Sequence, residues 1–329
     1  MNTIRFGIVG TGNIAHRFAN AIANVPQAKL CAVASRTRES AEAFGQEFHI
    51  PFCFDSYEAM AQSDCIDAAY IAVPHALHKS CSMLMMNHGK HVLCEKPMGV
   101  TAKQAEEMFA CASSNHVFLM EAMWARLVPG TIRMLKIIEE GLLGDIRGVE
   151  GKFCYGLGEN ELEHHVLKNA NGGGSLLDVG IYSLSFASWY LGKSVKQIHA
   201  LADKYNGVDS HTCVLLGYEN GAIADLSSAV LLEKPNEGFV YGTKGFVKLN
   251  RFYAPQSIDV HLRSGESYTI PTPYTGNGFE EQIAHVCACI AQGLVESPII
   301  TREQTLYIAN QMDDIRRQIG IIYPQDSDN

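Results

Sequence analysis

The sequence of 329 residues has no C-x-x-C pair, no concentration of lysine and arginine, and no apolar run long enough to span a bilayer. Each absence removes a class of function. There are ten cysteines, and the closest pair, Cys287 and Cys289, lies on a helical pattern where residues two apart point different ways. Buried reduced thiols are expected, not a disulfide framework or a zinc site. His164 and His165 are adjacent, but neighbours in sequence seldom converge on one ion and no third ligand is evident, so no metal is expected. The formal charge of −9, with both signs interspersed, argues against a nucleic-acid surface. An apolar-periodic strand starts at Ile4 with no leader pattern ahead of it. The expectation is a cytoplasmic chain with neither membrane nor nucleic acid as partner. Internal repeats and low-complexity segments are also missing.

What is present is a globular composition, 47% hydrophobic and 19% charged, in a chain long enough for two cores. From Ile4 to about Glu121, short apolar runs alternate with amphipathic stretches. The runs Ile4–Val9, Leu30–Ala34, Ala68–Val73, His91–Glu95 and Val117–Met120 read as strands joined by helical crossovers. That rhythm predicts a doubly wound parallel sheet, a Rossmann plan, over residues 1–122. After Trp124 the pattern becomes helix, strand, long polar loop, helix, then many strands separated by turn residues, and finally two helices. Residues 123–329 are therefore expected to form an α+β domain on a largely antiparallel, open-faced sheet.

Gly10-Thr11-Gly12-Asn13-Ile14-Ala15 follows the first strand and opens the first helix, as G-x-G-x-x-G/A requires. Gly10 permits the turn, Gly12 lets backbone approach a pyrophosphate, and Ala15 lets helix and sheet pack closely. The second strand ends in Ser35-Arg36-Thr37-Arg38, where an NAD protein would place an acid for the ribose 2′-hydroxyl. Guanidinium groups suit a 2′-phosphate instead. NADP is the expected cofactor, with NAD less favoured; Arg36 is the first candidate, Arg38 the second, and Ser35 lies beside them.

At the end of a later strand stands Glu95-Lys96-Pro97. Ligands of open parallel sheets bind at the carboxyl ends of strands, which places Lys96 beside the nicotinamide. Partial burial and a neighbouring oxidised ring would both adapt the amine to proton transfer. Pro97 restricts the turn and admits a cis bond. One strand earlier, Val73 and Pro74 would wall the cofactor, and His78 opens the next helix facing its ribose. Asp178 and Tyr182, four apart after Gly172-Gly173-Gly174, would project on one helical face and grip hydroxyls or pass a proton. Taken alone, that pair is also an ordinary polar helix face.

An N-terminal GTGNIA, a central CEKP and a GGSLLDVGIY helix together resemble the glucose–fructose oxidoreductase/inositol dehydrogenase/MocA family over nearly the whole chain. The segment Met120–Arg126 and the ending Ile319–Asp326 resemble its dimeric dihydrodiol dehydrogenase/NADP D-xylose dehydrogenase branch. The resemblance implies Lys96 as the central catalytic residue, facing Asp178 and Tyr182. It implies His78 near the nicotinamide, Trp124 as an aromatic contact with Arg126 beside it, and Arg36 on the 2′-phosphate. It also implies a homodimer or homotetramer formed through the C-terminal sheet. The loop of residues 156–170 departs from the branch and is expected to tune substrate choice. The expected activity is NADP(H)-dependent hydride transfer to or from a CH–OH or C=O carbon of a small polyhydroxylated substrate, a sugar or cyclic trans-diol. The alternatives are an anhydro-sugar or imine reductase of the same fold, and a non-catalytic NADP-sensing regulator.

Overall fold

The computed structural model describes residues 3–328. The chain divides into two units, the first formed by residues 1–124 and 275–306, the second by 125–274 and 307–329.

In the first unit six strands form a sheet: β1 Ile4–Val9, β2 Ala28–Ala34, β3 Phe52–Phe54, β4 Ala68–Ile71, β5 His91–Cys94 and β6 Leu119–Glu121. Their order is β3-β2-β1-β4-β5-β6, and the pairings are parallel. The central strands are buried apolar runs, as a sheet covered on both faces requires. The covering helices include α1 Asn13–Ile22, α2 Arg38–Glu47, α3 Tyr57–Gln62, α4 His78–Asn87 and α5 Ala102–Ser114. Thr37, Ser56 and Thr101 cap α2, α3 and α5 with side-chain oxygens. By contrast, α1 begins at Gly12 with no side-chain cap.

The boundary expected near residue 122 falls within two residues of Trp124, but the chain returns to this unit later. Residues 275–306 carry α8, Glu280–Ala291, and the N–H of Leu119 donates to the Val295 carbonyl at 3.1 Å. This covers the edge strand β6, whose exposed donors need a partner. No local pattern announces such a return. The three-residue β3 was also not expected, being too short for a period-two signal.

The second unit contains α6 Pro129–Glu139, β7 Ile146–Cys154, α7 Ile181–Leu191 and the strands β8 Val195–Tyr205, β9 Val208–Tyr218, β10 Ile223–Ala229, β11 Glu237–Gly242, β12 Gly245–Asn250, β13 Ser257–Leu262 and β14 Ser267–Pro271. The eight strands run in the order β14-β13-β12-β11-β7-β10-β9-β8. All pairs are antiparallel except β7 with β10. The helix α7 is buried along nearly its whole length. Its Phe186 lies against Gly151 and, together with Phe252, takes the space that a Cβ at Gly238 would need. On β9 buried and open positions alternate, and Leu201, Leu215 and Ile223 stand 80%, 50% and 58% exposed on the other face. The final helix, α9 Arg302–Ile319, is shared between the units.

Candidate active site

In the first unit, Gly10 has φ +104°, and a Cβ there would strike the Ala72 carbonyl at the end of β4. Glycine is required by both backbone and space. Gly12 has ordinary extended geometry, and nothing lies within 4 Å of where its Cβ would be. Uncapped amides and open space at the start of α1 fit a dinucleotide's pyrophosphate. Thr11, Asn13 and Ile14 belong to the same turn and first helical residues. At the end of β2, Ser35 is buried and its N–H donates to Phe54 of β3 at 3.1 Å. Arg36 is exposed, and its charge opposes the burial that raises the Tyr57 phenol. Arg38 is engaged elsewhere, 2.9 Å from Glu42 and 3.5 Å from Asp55.

Lys96 leaves the carboxyl end of β5, two strands along from the glycine turn, and is half-buried. Its peptide bond to Pro97 is cis. Behind it the Glu95 carboxylate is buried, accepting from the Tyr70 hydroxyl and, at 3.2 Å, from the Lys96 N–H. Burial pushes that carboxyl up, opposed by the charges of Lys96 and Arg17. Tyr70 is held by stacking on Phe18 at 3.9 Å. Arg17 lies over Trp124 at 5.2 Å and over Phe279 at 4.5 Å. Trp124 is buried in this group.

His78 is fully buried, with Nδ1 2.7 Å from the Pro97 carbonyl and Nε2 2.9 Å from the Val73 carbonyl. Burial lowers the imidazole to about 4, so the neutral ring donates one N–H between these two carbonyls. Both ring nitrogens face main chain, which makes His78 a strut between the Val73–Pro74 and Lys96–Pro97 turns. It does not offer a ring nitrogen to a ribose.

The second unit carries its own set of polar groups. The helix expected to carry Asp178 and Tyr182 on one face is an α-helix only from Ile181; Leu176–Gly180 is a π-helical turn. Such turns widen the helix and recur at functional sites. Asp178 is the partly exposed residue of an otherwise buried run, and Tyr155, just beyond β7, donates to its Oδ2 at 2.6 Å. Burial and the carboxylate raise the Tyr155 phenol, so it stays a donor. Tyr182 lies 5.4 Å from Phe153 and 5.8 Å from Tyr253, while Phe153 and Tyr253 stack at 3.9 Å. Arg251 sits 5.6 Å from the Tyr253 ring. A carboxylate and two phenols beside a flat aromatic wall can hold a small ring that bears hydroxyls. Arg126 also belongs to this unit. Burial lowers its guanidinium, opposed by Tyr190 and Glu139 of the same unit.

Sequence reading missed Tyr155, Phe153 and Tyr253, which come to Asp178 and Tyr182 from a strand end and a distant turn. It also missed Asp209 on β9. That buried carboxylate accepts on Oδ2 from the Leu176 N–H, the Ser175 hydroxyl and the Thr212 hydroxyl, each at 2.7 Å. It thereby anchors the start of the segment that carries Asp178. The Tyr323 hydroxyl donates to the Gly173 carbonyl beside it.

Residues 4–123 match the family described as an oxidoreductase family with an NAD-binding Rossmann fold, and residues 131–248 match the GFO/IDH/MocA C-terminal domain. The chain is 35% identical to the trans-1,2-dihydrobenzene-1,2-diol dehydrogenase of Mus musculus, covering 98% of this chain and 99% of the relative. Among solved structures, an aldose-aldose oxidoreductase from Caulobacter crescentus, complexed with glycerol, is similar with a TM-score of 0.88 at 27% identity over 96% of this chain and 97% of that one. A 3-ketoreductase from Actinomadura kijaniata, in complex with NADP and TDP-benzene, gives a TM-score of 0.85 at 26% identity over 97% and 98%.

Proposed function

The chain belongs to the GFO/IDH/MocA family of oxidoreductases, and from that premise we propose that it moves a hydride between NADP(H) and a CH–OH or C=O carbon of a sugar or cyclic trans-diol, with Lys96 exchanging the proton. The observation that carries this reading is the placement of Lys96 at the carboxyl end of β5, in the same sheet as a glycine turn that leaves the α1 amides open.

A bound nicotinamide would supply the acceptor or donor of the hydride. In the oxidative direction the Lys96 amine takes the proton of the carbinol O–H as the carbonyl forms; in the reductive direction the ammonium returns it. Asp178 and Tyr182 offer a carboxylate and a phenol to substrate hydroxyls, with Tyr155 fixing the carboxylate. Arg36 favours the 2′-phosphate of NADP over NAD. The relatives support the substrate class: the mouse protein is named for a trans-diol, and the Caulobacter enzyme for aldoses.

The test is Lys96→Met, assayed by reduced-nicotinamide absorbance with D-xylose and with trans-cyclohexane-1,2-diol, alongside fluorescence titrations with NADP and NAD. Turnover should fall by about 10²–10⁴-fold while the NADP affinity stays within roughly twofold. Undiminished turnover would remove Lys96 from the chemistry. NAD binding as tight as NADP would remove the role given to Arg36. A wild-type protein silent on both substrates would overturn the substrate class.

A further inference from the structure

We propose that Glu121 is a positioning residue for Lys96: from the end of β6 its carboxylate straps the turn after Lys96 to the start of α9 and sets the negative charge at the amine. The inference rests on the reading of Lys96 as the proton-exchanging group, although its test does not.

The geometry is specific. Glu121 is buried, and its Oε1 accepts the N–H of Met98 at 2.8 Å, two residues beyond Lys96. Its Oε2 accepts from the Thr305 hydroxyl on α9 at 3.2 Å. The next residue is tied as well, since the Ala122 N–H donates to the Cys94 carbonyl at 2.7 Å. A carboxylate in such a place holds the two ends of the turn against the sheet and against a helix that arrives much later in the chain.

Its electrostatic surroundings differ from those of Glu95, the other buried carboxylate behind Lys96. Burial raises the Glu95 carboxyl too, but the charges of Lys96 and Arg17 and the Tyr70 hydroxyl and Lys96 N–H as donors oppose it. Glu121 has one N–H and one hydroxyl. Burial and the charge of Glu95 raise it to about 7, opposed by Met98, Thr305 and Lys96. The groups that bear on the two carboxylates and on Lys96 include Cys94 from β5, the Met98 N–H of the following turn, Tyr70 from β4, Arg17 from α1, His78 from α4 and Thr305 from α9. Of the two carboxylates, Glu121 is the one better placed to hold a proton near neutrality. When it holds that proton, Lys96 loses a neighbouring anion, and its ammonium form becomes easier to deprotonate.

Glu121→Gln separates charge from shape. The amide oxygen can still accept from Met98, and no ionisable group remains. The readout is the pH dependence of Lys96 labelling by an amine-reactive reagent, followed by mass spectrometry of its peptide in the protein with and without NADP. The expected result is a labelling midpoint shifted down by on the order of one pH unit, with other lysines unmoved. The rising limb of turnover on D-xylose should shift by the same amount. Thr305→Val, which removes a donor to the carboxylate and favours its protonated form, should shift the midpoint in the same direction by less. It also keeps the question answerable if the glutamine variant does not fold. A Lys96 midpoint that stays in place in both variants would overturn the proposal. An active Lys96→Met would instead sink the catalytic reading and leave this electrostatic link standing.

Discussion

Two regions of this molecule present reactive groups by the same means and to different ends. In the first unit Lys96 stands on a turn backed by Glu121, and in the second Asp178 stands on a π-helical turn backed by Asp209. Both carboxylates are buried, and both accept a main-chain N–H close to the residue they serve. Glu121 spends one oxygen on each of two donors and lies within the influence of a cation and a second anion. Asp209 gathers three donors onto Oδ2, and its Oδ1 has no hydrogen-bond partner among the described residues. Burial raises its carboxyl, the donors from Ser175, Thr212 and Leu176 oppose that, and its charge in turn raises the Tyr323 phenol. The difference teaches that a buried carboxylate can be an anchor or a tuner, according to whether it gathers donors onto one oxygen or lies within reach of a reactive cation.

The largest test of that contrast is on the anchor. Asp209→Ala takes the shared acceptor from the Leu176 N–H and the Thr212 hydroxyl, leaves Ser175 only Ser228, and opens a void, at a cost of about 3–5 kcal/mol in unfolding free energy. Asp209→Asn keeps an acceptor and should restore most of that loss in denaturant unfolding. If asparagine proves as damaging as alanine, the charge itself matters at Asp209, and the contrast with Glu121 collapses.

The tuner should show itself in the pH dependence of stability. The Glu121 carboxyl is raised from 4.5 to about 7 in the fold. Its protonated form is therefore favoured by folding. That contribution is complete below the unfolded value of 4.5 and is lost as pH rises through about 7. Glu121→Gln has no proton to lose, so its stability relative to wild type should improve between pH 5 and pH 8. The gain should approach about 3 kcal/mol before solvent relaxation reduces it. Equal unfolding free energies for the two proteins at both pH values would show that Glu121 does not titrate in this window.

How much of this was legible in the sequence follows from the range of the interactions. Gly10, Gly12 and the strand ahead of them announce themselves because turn, strand and helix start lie within one short stretch. Lys96 is legible because Pro97 marks the turn and the strand pattern marks its position in the sheet. Asp178 and Tyr182 are legible as a pair, but the widening of the helix beneath Asp178 is not, since nothing in its apolar run favours five-residue over four-residue hydrogen bonds. The carboxylates behind these groups leave no local trace. Asp209 meets Leu176 across 33 positions, and Glu121 meets Thr305 across 184. Read along the chain, Glu121 ends a strand and Asp209 belongs to one, and each passes for a residue at a sheet surface. His78 shows the converse, a histidine at a suggestive position whose ring nitrogens are both directed to carbonyls.

The smallest expected effect concerns the end of the chain. Tyr323 is buried, donates to the Gly173 carbonyl 150 positions away, and lies 5.0 Å from the Arg316 guanidinium. Arg316 is held in turn by Asp313 at 2.6 Å and Asp326 at 3.0 Å. This places the tail against the three glycines that precede the Asp178 segment, beside the anchor Asp209, whose charge raises the Tyr323 phenol. Tyr323→Phe keeps the ring and its packing and removes one hydrogen bond, so the unfolding free energy should fall by about 1 kcal/mol. NADP affinity should not change, because the residue belongs to the second unit and the glycine turn to the first. If turnover falls more than the small stability loss explains, with NADP affinity intact, the tail helps Asp209 to present Asp178. If stability and turnover both match the wild type, the anchor works without the tail, and the second unit's device is as compact as the first unit's strap.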